Sequence, residues 1–143
     1  MTVFADYEIS YSGGNSRGIF SLGDPSANYQ KQLAVYAFSN LTALRVDNHH
    51  NGIADPAFGI TQGNVADQKM AFAISYGSAA AATNGLLATS VSSTATLDAA
   101  IDRLIIGNVY NNTQIYQTNG YIKKFAYYPQ RLSNATLQAM TEE

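Results

Sequence analysis

The sequence predicts an all-β domain, a two-sheet antiparallel β-sandwich with one short α-helix at its C-terminus. Three observations predict this fold. Apolar and polar residues alternate with a period of two along many short segments, glycine- and asparagine-rich turns separate the segments, and ten tyrosines and six phenylalanines favour sheets. The 143 residues contain no linker and no internal repeat, so we expect a single domain over residues 1–143.

The first half of the chain carries five predicted strands. In Thr2–Tyr11 the odd-numbered residues form an apolar face, and the carboxylates of Asp6 and Glu8 share the wetter face. The next strands are Gly18–Leu22, Gln32–Phe38 and Ala43–Asp47, the last two joined as a hairpin. Residues 49–52 are predicted as a loop, and Ile53–Ile60 is a weaker strand because it contains Pro56.

The second half contains the clearest hairpin. Asn84-Gly85 is a two-residue turn because both residues tolerate positive φ, and it joins Ala79–Thr83 to Leu86–Ser90. The other predicted strands are Gln68–Tyr76, Arg103–Ile106 and Tyr121–Tyr128. In the last strand we expect Tyr121, Phe125 and Tyr127 on one face, and Lys123 and Lys124 on opposite faces. Leu97, Ala100, Ile101 and Leu104 have helical spacing, so a short helix is the alternative there.

The C-terminal segment predicts the helix. Pro129 ends the last strand, and Ser133 is a favourable N-cap residue. Leu132 before the cap and Leu137 at the fourth helical position can form a hydrophobic staple. A helix of about two turns does not persist alone, so we expect it to dock on a sheet.

Composition excludes several classes of function. The net charge is −2, with 8 basic and 10 acidic residues, which argues against nucleic acid as a partner. The absence of cysteine excludes disulfides, zinc–thiolate sites and cysteine nucleophiles. The sequence contains no apolar run of the roughly 20 residues that a membrane helix needs, and no signal peptide is visible.

Four segments carry a resemblance to a known family: Gly18–Asp24, Asp102–Gly107, Asn119–Pro129 and Arg131–Gln138. They resemble the corresponding parts of concanavalin A-like lectin/glucanase (LamG-like) domains of bacteriophage virion proteins. The resemblance implies a jelly-roll sandwich. The sequence departs at Thr136, where the family often has Glu or Gln, so the capping box is incomplete. The family also usually has a strand before the first one here, which predicts either that the sequence is a trimmed form of the domain or that residues outside it complete the domain.

The resemblance also implies a function. It implies a non-enzymatic lectin-like domain of a phage tail fibre or tailspike that contacts host-surface glycan. Such a protein is made in the host cytoplasm and resides on the virion, with other virion chains as partners and a homotrimer expected by analogy with fibres. The alternative is a capsid-decoration or fibre-assembly domain that binds no sugar. A lectin requires a cleft lined by Tyr and by Asn or His, whereas an assembly domain presents an apolar patch or a trimer seam.

Sugar binding requires aromatic faces and planar polar groups, and two stretches supply both. They are residues 36–51 and the loop of residues 108–119, at sheet ends where recognition is common. The candidate ligand-binding residues are Tyr36, Arg45, Asp47, Asn48, His49, His50, Tyr110, Asn112 and Tyr116.

Catalysis is not expected. Glucanases of this superfamily resemble one another in a Glu-x-Asp-x-x-Glu strand, and here Asp6 and Glu8 share a face but Tyr11 stands where the final acid would fall. His49 and His50 are adjacent, so in an extended chain they point apart, and we do not expect both to serve one site. We therefore assign no catalytic residue, no metal ligand and no cofactor. Calcium is the alternative left open, since oxygen ligands lie in or near loops at Asp24, Asp47, Asn48, Asp55 and Asp67.

Overall fold

The computed structural model describes residues 1–10, 16–23, 31–37, 43–50, 53–61, 67–91, 103–109 and 117–142. For residues 31, 43, 48–50, 53–61 and 88–91 it describes the backbone alone. In chain order the elements are β1 (Thr2–Ile9), β2 (Arg17–Gly23), β3 (Lys31–Ala37), β4 (Ala43–His50), β5 (Ile53–Thr61), β6 (Asp67–Ser75), β7 (Ser78–Thr83), β8 (Leu86–Val91), β9 (Arg103–Ile106), β10 (Gly120–Tyr128) and α1 (Asn134–Thr141).

The strands form two five-stranded antiparallel sheets. The first sheet has the order β10-β1-β6-β7-β8 and the second has the order β5-β4-β3-β2-β9. Their inner faces meet in one apolar core, to which the odd-numbered residues of β1 contribute Val3, Ala5, Tyr7 and Ile9. The predicted two-sheet sandwich with a C-terminal helix is confirmed. Among the residues described, no helix has the length and hydropathy to cross a lipid bilayer.

The helix α1 lies on the outer face of the first sheet. Ser133 caps it by accepting a hydrogen bond from the Thr136 amide at 3.1 Å, as predicted. Leu137 is fully buried against Phe4 and against alanines 71, 73, 80 and 82, with Leu132 packed beside it. The small alanine side chains let the helix approach the sheet closely. This docking explains why Phe4 is buried on a face that Asp6 and Glu8 share with water.

A β-bulge in β10 contradicts two expectations about side-chain direction. Asp6 pairs with Lys124, but its neighbour Tyr7 pairs with Ile122, so Lys123 is the extra residue. An extra residue reverses the alternation of a strand. Ile122 and Phe125 therefore both pack against the inner core, and Phe125 does not share a face with Tyr121 as the alternation had predicted.

The two lysines of β10 consequently lie on the same outer face of the first sheet. Lys124 lies 5.6 Å above the ring of Phe4, and Lys123 contacts Asp67 at 2.9 Å and Glu8 at 3.5 Å. The expectation that they point to opposite sides is wrong for this reason.

The strand β4 is longer than predicted. His49 and His50 belong to β4, where they pair with Gln32 and Lys31 of β3, so the loop predicted to begin at His49 does not begin there. Pairing on both sides extends the strand, because β5 also pairs with β4 through His50 and Ile53. Strand β5 is a full strand despite Pro56, and its position at the edge of the sheet tolerates a residue without an amide proton.

The remaining predictions concern a hairpin turn, the end of β6 and a possible helix near Leu104. The Asn84-Gly85 turn is confirmed, with φ of 46° and 77° at its two residues. Strand β6 ends at Ser75, one residue before the predicted end, and Tyr76 lies in the following turn and is 75 % exposed. The alternative helix near Leu104 is excluded at that residue, which lies in β9, while its other members fall outside the described residues.

Tyr7 provides a stability prediction from the core. Its side chain is fully buried, and no described residue hydrogen-bonds its hydroxyl oxygen. Burial, assisted by the charge of Asp67, raises the pKa of the Tyr7 phenol, which stays neutral. Because an unpartnered buried hydroxyl is unfavourable, Tyr7→Phe is expected to raise the free energy of unfolding by about 1 kcal/mol in urea titrations. Tyr127→Phe, at a half-exposed position, is the control, and a Tyr7→Phe protein less stable than wild type contradicts the interpretation.

Candidate ligand-binding site

The outer face of the second sheet carries the candidate site. Strand alternation sends Leu33, Val35 and Val46 into the core, so the residues between them point outward. The outward residues whose side chains are described include Ser21 on β2, Gln32, Ala34 and Tyr36 on β3, and Arg45 and Asp47 on β4. Register places Ser21 opposite Ala34, Ala34 opposite Asp47, and Tyr36 opposite Arg45. We call this set the outer polar face.

The residues at the centre of the outer polar face are buried. An outer sheet face is normally in contact with water, but Ser21, Gln32, Ala34 and Asp47 are each at most 5 % exposed. Tyr36 and Arg45, in contrast, are partly exposed. Buried polar groups therefore lie outside the apolar core on this face, with the partly exposed Tyr36 and Arg45 beside them.

Three of these side chains form one hydrogen-bonded network. The Tyr36 hydroxyl donates to Oδ2 of Asp47 at 2.7 Å, and Nε of Arg45 donates to Oδ1 of the same carboxylate at 2.8 Å. The Asp47 side chain is 8 % exposed and that of Arg45 is 40 % exposed. The hydrogen bond to Asp47, opposed by burial and assisted by the charge of Asp47, raises the pKa of Arg45, which remains a cation.

The network leaves a specific binding capacity. The bond to Asp47 uses Nε of Arg45, and no described residue accepts a hydrogen bond from its two terminal Nη atoms. These atoms form a planar pair of donors that fits the two oxygens of a carboxylate. The ring of Tyr36 lies across the strand pair from Arg45 and supplies an aromatic surface of the kind that packs on sugar rings.

The predicted site residues divide into three groups. The structure brings Tyr36, Arg45 and Asp47 together, as the shared stretch of sequence had suggested. Asn48, His49 and His50 follow Asp47 directly along β4, where the structure describes only their backbone. Tyr110, Asn112 and Tyr116 lie outside the described residues.

Sequence reasoning missed Ser21 and Gln32, which are buried on the same face. A signal was available for Ser21, which is a polar residue between Phe20 and Leu22, but not for Gln32, which follows Lys31. Only the pairing of β2, β3 and β4 shows that they share a face with Asp47.

The opposite side of the sandwich has a second polar feature. A groove of about 430 Å³ lies on the outer face of the first sheet, lined by Asp6, Asp67, Gln68, Lys69, Asn84, Lys123, Thr141 and Glu142. Asp6 lies at this groove, and Glu8, whose side chain is 50 % exposed, contacts Lys123. In the part of the chain that the structure describes, no three acidic or histidine side chains converge to hold a metal ion.

The two antiparallel sheets and the short C-terminal helix define the class of fold as a jelly-roll β-sandwich. No protein-family model matches the sequence, and no curated protein matches it. Among solved structures the chain is similar to the Ruminococcus gnavus IT-sialidase CBM40 bound to α2,3 sialyllactose, with a TM-score of 0.81 and 16% identity over 98% of this chain and 81% of that one.

Two further solved structures are similar over nearly the whole of this chain. The leech intramolecular trans-sialidase has a TM-score of 0.80 and 16% identity over 99% of this chain and 23% of its own. The NanB sialidase from Streptococcus pneumoniae has a TM-score of 0.75 and 13% identity over 96% of this chain and 23% of its own. The chain therefore matches about a quarter of each of these two larger proteins. At such identities the likeness establishes the fold.

Proposed function

We propose that this chain is a non-enzymatic glycan-binding module and that it binds through the outer polar face. The observation that carries the proposal is the Arg45 guanidinium, partly exposed and anchored by a buried carboxylate beside an aromatic ring. An anchored planar donor next to an aromatic face is what recognition of a charged sugar requires.

The preferred glycan in this proposal carries an acidic sugar. Both oxygens of Asp47 accept hydrogen bonds, from Tyr36 and Arg45, so the terminal nitrogens of Arg45 are the cationic donors that this network presents to a ligand. Donors of this kind favour a carboxylate over a neutral hydroxyl. One of the similar solved structures holds α2,3 sialyllactose, whose sialic acid bears a carboxylate, and this supports the choice.

The test is calorimetric titration with 3′-sialyllactose. We expect wild-type protein to bind, and Arg45→Gln to weaken binding by about tenfold or more because a charge-assisted pair is lost. Lys123→Gln is the matched control, since it removes one cation from the opposite sheet. Equal affinities of Arg45→Gln and wild type would contradict the assignment of the site. A folded wild-type protein that binds neither this probe nor any glycan on an array would contradict the function.

The setting of the module is a further part of the proposal. Because the C-terminal strand and helix motif resembles that of phage virion proteins, we propose that the module belongs to a phage tail fibre or tailspike on the virion. Its partners would then be other virion chains, and it would assemble as a trimer. Antibody against the purified domain should then label the tails of intact particles in electron micrographs. Absence of the domain from the proteins of purified particles would contradict this setting.

One observation favours the alternative of an assembly domain. The edge strands β9 and β10 expose Leu104, Ile106, Tyr121 and Tyr127, each at least 44 %. The ring of Phe125 on β10 packs edge-on against Phe20 on β2 at 5.5 Å, so these two edges lie on the same side of the sandwich. If this side is an assembly surface, sedimentation velocity should show oligomers that Ile106→Lys dissociates.

A further inference from the structure

The Arg45 guanidinium is held in place by a neighbour on its own strand and indirectly by one on β3. Strand register puts Tyr36 directly across from Arg45, and Asp47 lies two residues further along β4 on the same face. The carboxylate of Asp47 is therefore flanked by two donors, the Tyr36 hydroxyl on Oδ2 and the Arg45 Nε on Oδ1. Each oxygen has its own donor, so the carboxylate has a fixed orientation.

We propose that Tyr36 is a positioning residue for ligand binding, acting through Asp47 on Arg45. The Tyr36 hydroxyl fixes the rotation of the Asp47 carboxylate, and that carboxylate fixes the plane of the guanidinium. This inference rests on the proposed glycan-binding function, and it gives Tyr36 a role beyond the stacking surface expected from the sequence.

The burial of the three side chains supports this order of action. Asp47 lies almost out of contact with solvent, so its two hydrogen bonds compete little with water. Arg45 is more exposed than Asp47, with 40 % of its side chain in contact with solvent. A long side chain at such a position has many rotamers, and all but one are lost when a ligand is bound. Anchoring Nε in advance removes part of that entropic cost.

The anchoring also decides which edge of Arg45 faces a ligand. With Nε directed at Asp47, the edge that remains for an incoming group is the one formed by Nη1 and Nη2. A carboxylate accepts from that edge with both oxygens, whereas an ester or amide offers one good acceptor. The hydroxyl of Tyr36 should therefore influence the affinity for acidic sugars far more than the affinity for their neutral derivatives.

The experiment compares Tyr36→Phe with wild type, using 3′-sialyllactose and its methyl ester as probes. Tyr36→Phe keeps the aromatic ring and deletes the hydroxyl, so stacking is retained. We expect about fivefold weaker binding of the acid and an unchanged affinity for the ester. Tyr127→Phe, which deletes a hydroxyl from a half-exposed tyrosine on the first sheet, should leave both affinities unchanged.

A spectroscopic measurement reports on positioning without any glycan. In ¹H–¹⁵N spectra the Nε–H of Arg45, assigned with Arg45→Lys, should be protected from exchange in wild type and exposed in Tyr36→Phe. Binding that is unchanged in Tyr36→Phe, with Nε–H still protected, overturns this inference and leaves the proposed function intact. Equal losses for acid and ester also overturn it, because they indicate stacking or general disorder. If wild-type protein binds neither probe, the proposed function fails and the inference fails with it.

Discussion

Replacement of Leu137 by alanine is expected to lower the free energy of unfolding by about 3 kcal/mol. Leu137 is fully buried between α1 and the first sheet, where it contacts Phe4 and the row of outer-face alanines. Small residues such as alanine cannot fill the space, so the substitution leaves a cavity. An eight-residue helix has little stability of its own, and we expect α1 to detach in the variant.

Urea unfolding and limited proteolysis measure the two parts of this effect. The matched control is Leu86→Ala, because Leu86 is 63 % exposed and its loss should cost less than about 0.5 kcal/mol. A Leu137→Ala protein within 1 kcal/mol of wild type, with its C-terminus still resistant to protease, would show that the helix is not held by this contact.

Replacement of Gly120 by alanine is the second large effect, at about 3 kcal/mol. Gly120 pairs with Ile9 where β10 begins, and the two strands approach each other closely. A Cβ at this position would lie 2.0 Å from the carbonyl oxygen of Glu8 and 2.8 Å from Cα of Ile9. Both are backbone atoms that no side-chain rotation can move, so the strands would have to separate.

Gly77→Ala separates this steric effect from backbone strain. Gly77 has a φ of +82° but nothing within 4 Å of its ideal Cβ position, so alanine there costs only the left-handed conformation, about 1 kcal/mol. In hydrogen exchange, Gly120→Ala should expose the amides that pair β1 with β10, and Gly77→Ala should not. A Gly120→Ala variant no less stable than Gly77→Ala would contradict the close approach.

The predictable parts of the fold were those that neighbouring residues decide. Asn84-Gly85 adopts the turn that its two left-handed residues require, and Ser133 caps the helix that it precedes. The odd-numbered residues of β1 enter the core because alternation is intrinsic to a strand. Each of these features needs only a few consecutive residues, so the sequence contains the whole cause.

The mistaken parts depended on pairing between distant segments. The bulge at Lys123 arises from the register with β1, more than one hundred residues away, and it reversed the directions expected for Phe125 and Lys124. The extension of β4 through His50 likewise depends on partners in β3 and β5. Alternation within one strand carries no information about its partner's register.

The residue types of the candidate site could be predicted from the sequence, but their arrangement in space could not. The sequence identifies Tyr36, Arg45 and Asp47 as residue types that suit sugar recognition, in a stretch that it predicts to lead into a loop. They meet instead on strands, through cross-strand pairing and a shared carboxylate. The sequence could not show that Asp47 is buried between two donors, since that depends on the register of β3 with β4.

The measurement that tests the proposed binding face most directly is a titration of ¹⁵N-labelled protein with 3′-sialyllactose, followed residue by residue. We expect the largest shift changes at Tyr36, Arg45 and their neighbours on β3 and β4, with the groove residues Lys69 and Lys123 on the far sheet unaffected. Shift changes concentrated at that groove, or a saturating ligand concentration that moves no resonance on β3 or β4, would contradict the account.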